Sequence, residues 1–508
     1  MRIVIIGTGF VGLTHAAVCA ELGHDVVAYD VDEDRIAAYA SGQREAIEGH
    51  VNEPGLADTI AAQLGKRLRF TAAPEALAQG LGARGNSPGA EVVFLCVPTP
   101  PQPNGATDRT FYVAAARQLA DLLARRQSLS RVAVVNKSTV PIGTARLLTQ
   151  ILRDRGARQV GAVSNPEFLP QGSALAAARK PDRVVVGADT EEDFLLLRRV
   201  YARIARPSLA LSHGPAKEPA GATLYLETSP ETAEAIKYVS NALLFTYISF
   251  WNSVGARLAE RFSDVRMDDL RSGVTSDERI SGWGTQVGIG AGGSCFGKDI
   301  RSLIHQLESV ASSTELLQAV ERINEFQKVY LLERAAAEAR FDFAGKTVAV
   351  LGLTFKQGTN DMRDSAALRV IEGLLARGVA AIRAYDPVVD EAAARRWLDP
   401  ARDPMLERMS YHRTAEDALR GSQALFIATD WEEYCSLAGL VREVVQPPYL
   451  IIDGRRMINA SELVGRGYTY LPAGGPLLGH EHLYGIHASE DAEHGAGRAH
   501  RAPTLRRA

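Results

Sequence analysis

The apolar positions of this chain fall into short uninterrupted runs, separated by helical stretches and by glycine or proline turns. Met1-Arg2-Ile3-Val4-Ile5-Ile6 opens the pattern with a β-branched run that has no polar residue after Arg2. Such a run suits a strand covered on both faces, as in a parallel sheet. It passes through Gly7-Thr8-Gly9-Phe10-Val11-Gly12 into a helical stretch, Leu13 to Leu22, ended by Gly23. Asp25 to Asp30, Glu91 to Val97 and Arg131 to Lys137 repeat the strand pattern. The last two stop in the polar turns Pro98-Thr99-Pro100-Pro101 and Ser138-Thr139-Val140-Pro141.

The pattern recurs in the second half. Lys346 to Phe355 repeats the opening strand and glycine turn, Ala381 to Pro387 resembles Val26 to Asp30, and Ala424 to Thr429 resembles Val92 to Val97. Between the halves, Ser229 to Arg261 sets Ala233, Ile236, Val239, Ala242, Leu243 and Phe245 at helical spacing. This predicts a long helix that either packs within its own subunit or offers a dimer face. The fold class expected is α/β, with two Rossmann-like doubly wound domains joined by a long central helix. The expected division is an N-terminal Rossmann-like domain over 1–215, a central helical domain over 216–335 and a C-terminal Rossmann-like domain over 336–475. The remainder, 476–508, is rich in Gly, His, Ala and Arg and reads as a disordered tail, and Gly80 to Gly89 as a flexible surface insertion.

Composition narrows the partners. With 508 residues and a net charge of −3, the chain can bury several cores and gives no electrostatic case for nucleic acid or an anionic membrane. No apolar run approaches the roughly 18 residues that span a bilayer, and the first strand begins at Met1 without a signal-peptide core. A cytoplasmic protein is expected. Cys19, Cys96, Cys295 and Cys435 have neither metal-ligand nor disulfide-framework spacing, so no metal is expected. Cys19 and Cys96 read as core residues.

Two segments carry chemistry. In the opening fingerprint Gly7 permits a tight turn, Gly9 lets a pyrophosphate approach the backbone, and Gly12 lets the helix pack on the strand. Asp30, closing the second strand, is placed for a ribose 2′-hydroxyl and favours NAD over NADP. Thr99, Ser138 and Thr139 lie at the sheet edge where such folds bind ligands, or else serve as ordinary turn and capping groups. The second segment is Ile289-Gly290-Ala291-Gly292-Gly293-Ser294-Cys295-Phe296-Gly297-Lys298-Asp299. Its glycines allow close approach to a cysteine, and Lys298 could help hold the thiolate; the plainer reading is a cysteine used in packing.

Taken in order, several motifs resemble the UDP-glucose/GDP-mannose dehydrogenase family, in its UDP-glucose branch, across approximately residues 1 to 472. They are Gly7 to Leu13, Val97-Pro98-Thr99-Pro100, Lys137 to Thr144, Asn165-Pro166-Glu167-Phe168-Leu169, Gly292 to Phe296, Phe355-Lys356 and Asp453-Gly454-Arg455. The resemblance implies four-electron, NAD-dependent oxidation of a UDP-glucose C6 alcohol to a carboxylate through a thiohemiacetal and a thioester on Cys295. It implies Glu167 as acid/base, Lys237 and Asn241 at the reacting oxygen, Asp299 positioning water or the lysine, and Thr139 beside them. On the cofactor side it implies Gly7, Gly9, Phe10, Val11, Gly12, Asp30, Arg35, Thr99, Thr139, Gln171, Lys298 and Arg363. On the substrate side it adds Phe168, Leu169, Gln286, Gly290, Gly292, Phe355, Lys356 and Arg455. Arg279 matches an arginine that reaches the neighbouring subunit's site, implying a homodimer or higher homo-oligomer.

Two departures stand out. Pro170-Gln171-Gly172 puts Gln171 where the family carries a carboxylate near the cofactor, and Gly297 replaces the usual proline or glutamine. Three other readings stay open: oxidation of GDP-mannose, oxidation of a UDP-N-acetylhexosamine, and a catalytically silent sugar-nucleotide binding protein. The second is disfavoured by Gly293-Ser294-Cys295, where such relatives carry Gly-His-Cys. The third is disfavoured by the intact Cys295, Lys237, Asn241 and Glu167.

Overall fold

The computed structural model describes residues 1–82, 89–126, 130–205, 222–262 and 264–479. Most of the expected surface insertion, and the tail from 480, lie outside the described residues. The chain forms two compact units. The first comprises 1–249, 291–324 and 354–365; the second comprises 250–290, 325–353 and the chain from 366.

The first unit is built on an eight-stranded sheet. Its strands are β1 (Arg2–Ile6), β2 (Asp25–Tyr29), β3 (Leu68–Thr71), β4 (Val92–Leu95), β5 (Val132–Asn136), β6 (Val160–Ser164), β7 (Arg183–Gly187) and β8 (Leu224–Thr228), in the order β3-β2-β1-β4-β5-β6-β7-β8. All neighbours are parallel except β6 and β7, which meet antiparallel at Ser164 and Gly187. Two-residue alternation distributes the apolar runs between two cores. Ile3, Ile5, Phe94 and Val135 face one, while Val4, Ile6, Leu95 and Val134 face the other. Both faces are therefore covered, which is why the sequence runs are continuous rather than alternating. The order reverses between β1 and β4, so a crevice opens at their carboxyl ends.

The second unit repeats the plan with β9 (Thr347–Leu351), β10 (Ala381–Tyr385), β11 (Met409–Tyr411), β12 (Ala424–Ile427), β13 (Tyr449–Asp453) and β14 (Tyr468–Pro472). The order is β11-β10-β9-β12-β13-β14, all parallel. Its Arg334 is fully buried, paired with Glu260 at 3.2 Å and donating to the Pro472 carbonyl at 2.9 Å. The helix expected over Ser229 to Arg261 runs as Pro230–Phe250, a π turn over Trp251–Gly255, and Ala256–Arg261. Among the described residues no helix is long and apolar enough to cross a membrane.

Candidate active site

The opening glycines have separate jobs. Gly7 has φ +93°, and a Cβ there would lie 2.5 Å from the Cys96 carbonyl oxygen; one on Gly12 would lie 1.9 Å from the Gly7 carbonyl oxygen. A Cβ on Gly9 would meet nothing within 4 Å. Gly7 and Gly12 are thus demanded by packing, whereas the space at Gly9 is free for a ligand. Gly9 also precedes helix Phe10–Glu21, whose first turn has no side-chain cap, leaving amides for a pyrophosphate. Asp30 is buried at the end of β2. Its carboxylate accepts from the Thr8 amide (2.6 Å), the Thr8 hydroxyl (3.0 Å), the Asp32 amide (3.1 Å) and Arg35 (3.2 Å). Burial alone would raise its pKa, but these donors hold it below the usual range. The acid is fixed, ionised and aligned with the glycine turn. The Thr99 hydroxyl donates to the Thr139 carbonyl at 3.0 Å, tying together the loops that follow β4 and β5.

Five of the proposed reacting groups are brought together in the first unit by three elements. Glu167 lies in the loop after β6, Lys237 and Asn241 share the buried face of helix Pro230–Phe250, and Cys295 caps helix Phe296–Glu308, which carries Asp299 in its first turn. Lys237 Nζ donates to Glu167 Oε1 at 2.9 Å, and Leu169 N donates to Glu167 Oε2 at 2.6 Å. Asn241 Nδ2 donates to Asp299 Oδ2 at 2.6 Å, and Lys298 Nζ to Asp299 Oδ1. Phe245 stacks on Phe296 with ring centroids 5.6 Å apart, locking the two helices in register. Lys298 is therefore committed to Asp299 rather than to the sulfur, although its charge still favours the thiolate.

The electrostatics are nearly balanced. Burial pushes Glu167 up, but Lys237, the Leu169 amide and Lys137 together hold it below the usual carboxylate range. Burial pushes Lys237 down, but Glu167, Cys295 and Asp299 together raise it. Cys295 is exposed, yet the protein around its sulfur and the Asp299 and Glu167 charges raise the thiol against the pull of Lys237 and Lys298. At rest Cys295 is a thiol.

Segment 354–365 packs in the same unit. Phe355 lies against Gly293, where a Cβ would fall 2.9 Å from its ring, and Gly293 N donates to the Arg363 carbonyl at 3.0 Å. A Cβ on Gly292 would come within 2.4 Å of the Asp364 carbonyl oxygen, so the cysteine loop closes only with glycine here. The Lys356 ammonium lies 5.9 Å from the Phe355 ring centroid. Gln171 donates to Asp361 at 3.0 Å, and Asp361 also pairs with Arg363 at 2.6 Å. Gln171 Oε1 is buried and has no hydrogen-bond partner among the described residues. The Phe168 ring has two cations over it, Arg183 at 3.9 Å from the ring centroid and Lys237 at 5.5 Å.

Phe10 and Val11 open the first helix of the first unit, and four further expected contacts belong to the second unit. Arg455 follows β13; its backbone amide donates to Asp453 at 3.0 Å and its Nε to the Ala428 carbonyl at 2.9 Å. Gly290 has φ +81°, Gln286 is exposed, and Arg279 pairs with Asp277 at 2.6 Å. The sequence reading overlooked Glu234, one turn before Lys237. It accepts from Gly143 N (2.6 Å), Ala145 N (2.8 Å) and the Ser164 hydroxyl (2.9 Å), and burial pushes it up to about 7. Its helical spacing with Lys237 and Asn241 was the available signal.

Three family models match the chain. They describe the UDP-glucose/GDP-mannose dehydrogenase family: its NAD binding domain over residues 1–205, its central domain over 231–326 and its UDP binding domain over 349–460. A UDP-glucose 6-dehydrogenase of Pseudomonas aeruginosa is 36% identical over 94% of this chain and 99% of its own. One of Rhizobium meliloti is 35% identical over 94% and 100%. A solved UDP-glucose dehydrogenase of Pyrobaculum islandicum is 31% identical, covers 93% of this chain and 97% of its own, and superposes with a TM-score of 0.78.

Proposed function

Because the chain belongs to the UDP-glucose/GDP-mannose dehydrogenase family and is an NAD-dependent enzyme oxidising a UDP-sugar, we propose that its substrate is UDP-glucose and its product UDP-glucuronate. The observation that carries the mechanism is the buried Lys237 and Glu167 pair, with the Asn241–Asp299 hydrogen bond one helical turn further on, in the unit that also holds Cys295. NAD, when bound, accepts the hydride in each of two oxidations. Lys237 and Asn241 hold the reacting oxygen and stabilise its charge as the C6 alcohol loses a proton and becomes an aldehyde. The Cys295 sulfur adds to that aldehyde carbon as the S–H bond breaks and its proton passes to the aldehyde oxygen, and loss of a second hydride and the resulting hydroxyl proton leaves a thioester. Glu167 then takes a proton from water, whose oxygen displaces the sulfur.

On this reading 1–215 forms the cofactor domain, 216–335 the dimer helix and catalytic loop, and 336–475 the UDP-sugar domain. Gly9, Asp30, Arg35, Thr99, Thr139, Gln171, Lys298 and Arg363 serve the cofactor; Phe168, Leu169, Gly292, Phe355, Lys356 and, on the second unit, Gln286, Gly290 and Arg455 serve the substrate. A second copy of the chain covers the apolar side chains exposed along the long helix, among them Leu243 (66%) and Phe262 (60%), and receives Arg279. The enzyme works in the cytoplasm. The test is NADH formation with UDP-glucose, GDP-mannose and UDP-N-acetylglucosamine in parallel. About two NADH per UDP-glucose, with UDP-glucuronate as product, is expected. Activity only with another sugar nucleotide would overturn the substrate, and silence with all three would favour a binding protein.

A further inference from the structure

Glu167 has two neighbourhoods. One is the Lys237 pair; the other is a cavity of about 170 Å³ within the first unit, lined among others by His15, Lys137, Asn165, Arg183 and Tyr201 as well as Glu167 itself. Lys137, immediately after β5, is buried with no carboxylate in hydrogen-bond reach among the described residues. Its Nζ donates to Asn165 Oδ1 at 3.0 Å and to the Tyr201 hydroxyl at 3.3 Å. The Tyr201 hydroxyl donates to the same Asn165 oxygen at 2.5 Å, and Asn165 Nδ2 is anchored on the Val185 carbonyl at 2.6 Å. An amine held by neutral groups beside a carboxylate, in a cavity of this kind, is poor design for packing. It suits a group that gains and loses a proton.

We propose that Lys137 and this cavity form the exit by which the proton taken by Glu167 from the hydrolytic water reaches solvent. The inference rests on the thioester chemistry above. In the step, an O–H bond of water breaks, its oxygen bonds to the thioester carbon, and the C–S bond breaks with its electron pair left on Cys295. The proton goes to the Glu167 carboxylate, then through water in the shared cavity to the Lys137 amine, and from there to solvent; no electrons are transferred. Lys137 touches no reacting atom and acts only through Glu167, so it is a positioning and relay residue.

The charged and titratable groups around Lys137 are His15 and Cys19 from helix Phe10–Glu21, Cys96 beyond β4, Glu167, Tyr201 from helix Glu191–Tyr201, and Lys237, with Lys180, Asp182 and Arg183 also lining the cavity. Burial drives His15 well below its usual value and Tyr201 well above, and pushes Cys19 and Cys96 up to about 12, so all four stay neutral. Burial, with Lys237, brings Lys137 itself down to about 8. It can therefore exchange a proton near neutral pH while these four groups cannot.

The experiment compares wild type with Lys137→Met and Lys137→Arg by rapid mixing with UDP-glucose and NAD, following NADH and the mass of the acylated protein. In wild type, acyl-enzyme breakdown should accelerate as pH rises through about 8. Both variants should keep the early two-NADH burst per site yet break the acyl-enzyme down at least about ten-fold more slowly, without that pH limb. Recovery of wild-type breakdown by Lys137→Arg, which keeps the charge but cannot release the proton, would overturn the relay. So would an unchanged rate and pH limb in Lys137→Met. Melting temperature and NAD binding report folding; should Arg not fold, loss or retention of the limb in Lys137→Gln decides. No NADH formation from UDP-glucose in wild type would instead overturn the UDP-glucose reading, and the relay with it.

Discussion

Lys237→Met tests the electrostatic centre of the site. The ammonium lies 2.9 Å from Glu167 Oε1, with both side chains only 6% and 7% exposed. Removing one partner of a buried pair leaves an uncompensated charge, which costs about 3–5 kcal/mol. At roughly 2 °C per kcal/mol for a unit of this size, the melting temperature at neutral pH should fall by about 6–10 °C. The sign with pH follows from the shifts. Glu167 in the wild type lies below its ordinary value, so its pairing contributes stability at neutral pH that is lost as pH falls through the depressed pKa. Without Lys237, burial dominates and Glu167 moves above its ordinary value, so the variant's penalty disappears as acid protonates the carboxyl. Melting curves at pH 7 and near pH 4.5 should therefore show a large gap that closes, and Glu167→Gln/Lys237→Met should recover most of the loss at pH 7. A gap independent of pH, or a double variant as unstable as Lys237→Met, would refute the pairing as its cause. Turnover should fall about 100-fold or more in the single variant, the scale for losing one oxyanion donor.

Gly12→Ala should abolish NAD binding, measured by calorimetry, because its Cβ would sit 1.9 Å from the Gly7 carbonyl oxygen within the fingerprint itself. Cys295→Ser should keep NAD binding and form no UDP-glucuronate, measured by product chromatography; normal sugar-acid formation would rule out the covalent route. Glu234, pushed up to about 7 by burial, contributes stability below its ordinary 4.5 that is lost as pH rises through about 7. Glu234→Gln should remove that dependence, flattening unfolding free energy between about pH 5 and 8 by about 3 kcal/mol at most. Leu243→Glu, on the exposed face of the long helix, should shift the assembly toward monomer in light scattering.

The strands read from the sequence were β1, β2, β4 and β5 and their counterparts β9, β10 and β12. Missed were β3, β11, β13 and β14, together with β6 and β7, whose runs are broken by Gly161 and bounded by Arg183, and β8, which is mixed in character. Neither the antiparallel meeting of β6 and β7 nor the π turn at Trp251–Gly255 leaves a periodicity to read. Site residues divide similarly. Gly7, Gly12, Gly292 and Gly293 were legible because a side chain there is sterically excluded. Charged residues were harder, because a lone Lys, Glu or Asp is usually solvated. Lys237, Asp299 and Glu167 came from resemblance, while Lys137, within a quoted motif, and Glu234 were left without roles; all five are buried. Burial of a charge depends on partners distant in sequence: Lys237 and Glu167 are 70 residues apart, Asn241 and Asp299 58.

Those partnerships give the proposed chemistry an internal coupling. In the resting site each lysine faces a carboxylate, Lys237 on Glu167 and Lys298 on Asp299, so neither is free to hold a thiolate and Cys295 stays protonated. The balance changes when Glu167 takes a proton from water. Its charge no longer raises the thiol, and the Lys237 ammonium loses the partner that held it. Both changes act in one direction, lowering the cost of negative charge on sulfur. Sulfur must carry that charge as it leaves the thioester carbon, so the proton that activates the water also eases departure of the leaving group. A neutral glutamine at 167 would supply the second effect without the first, giving an enzyme that forms the thioester and stalls there.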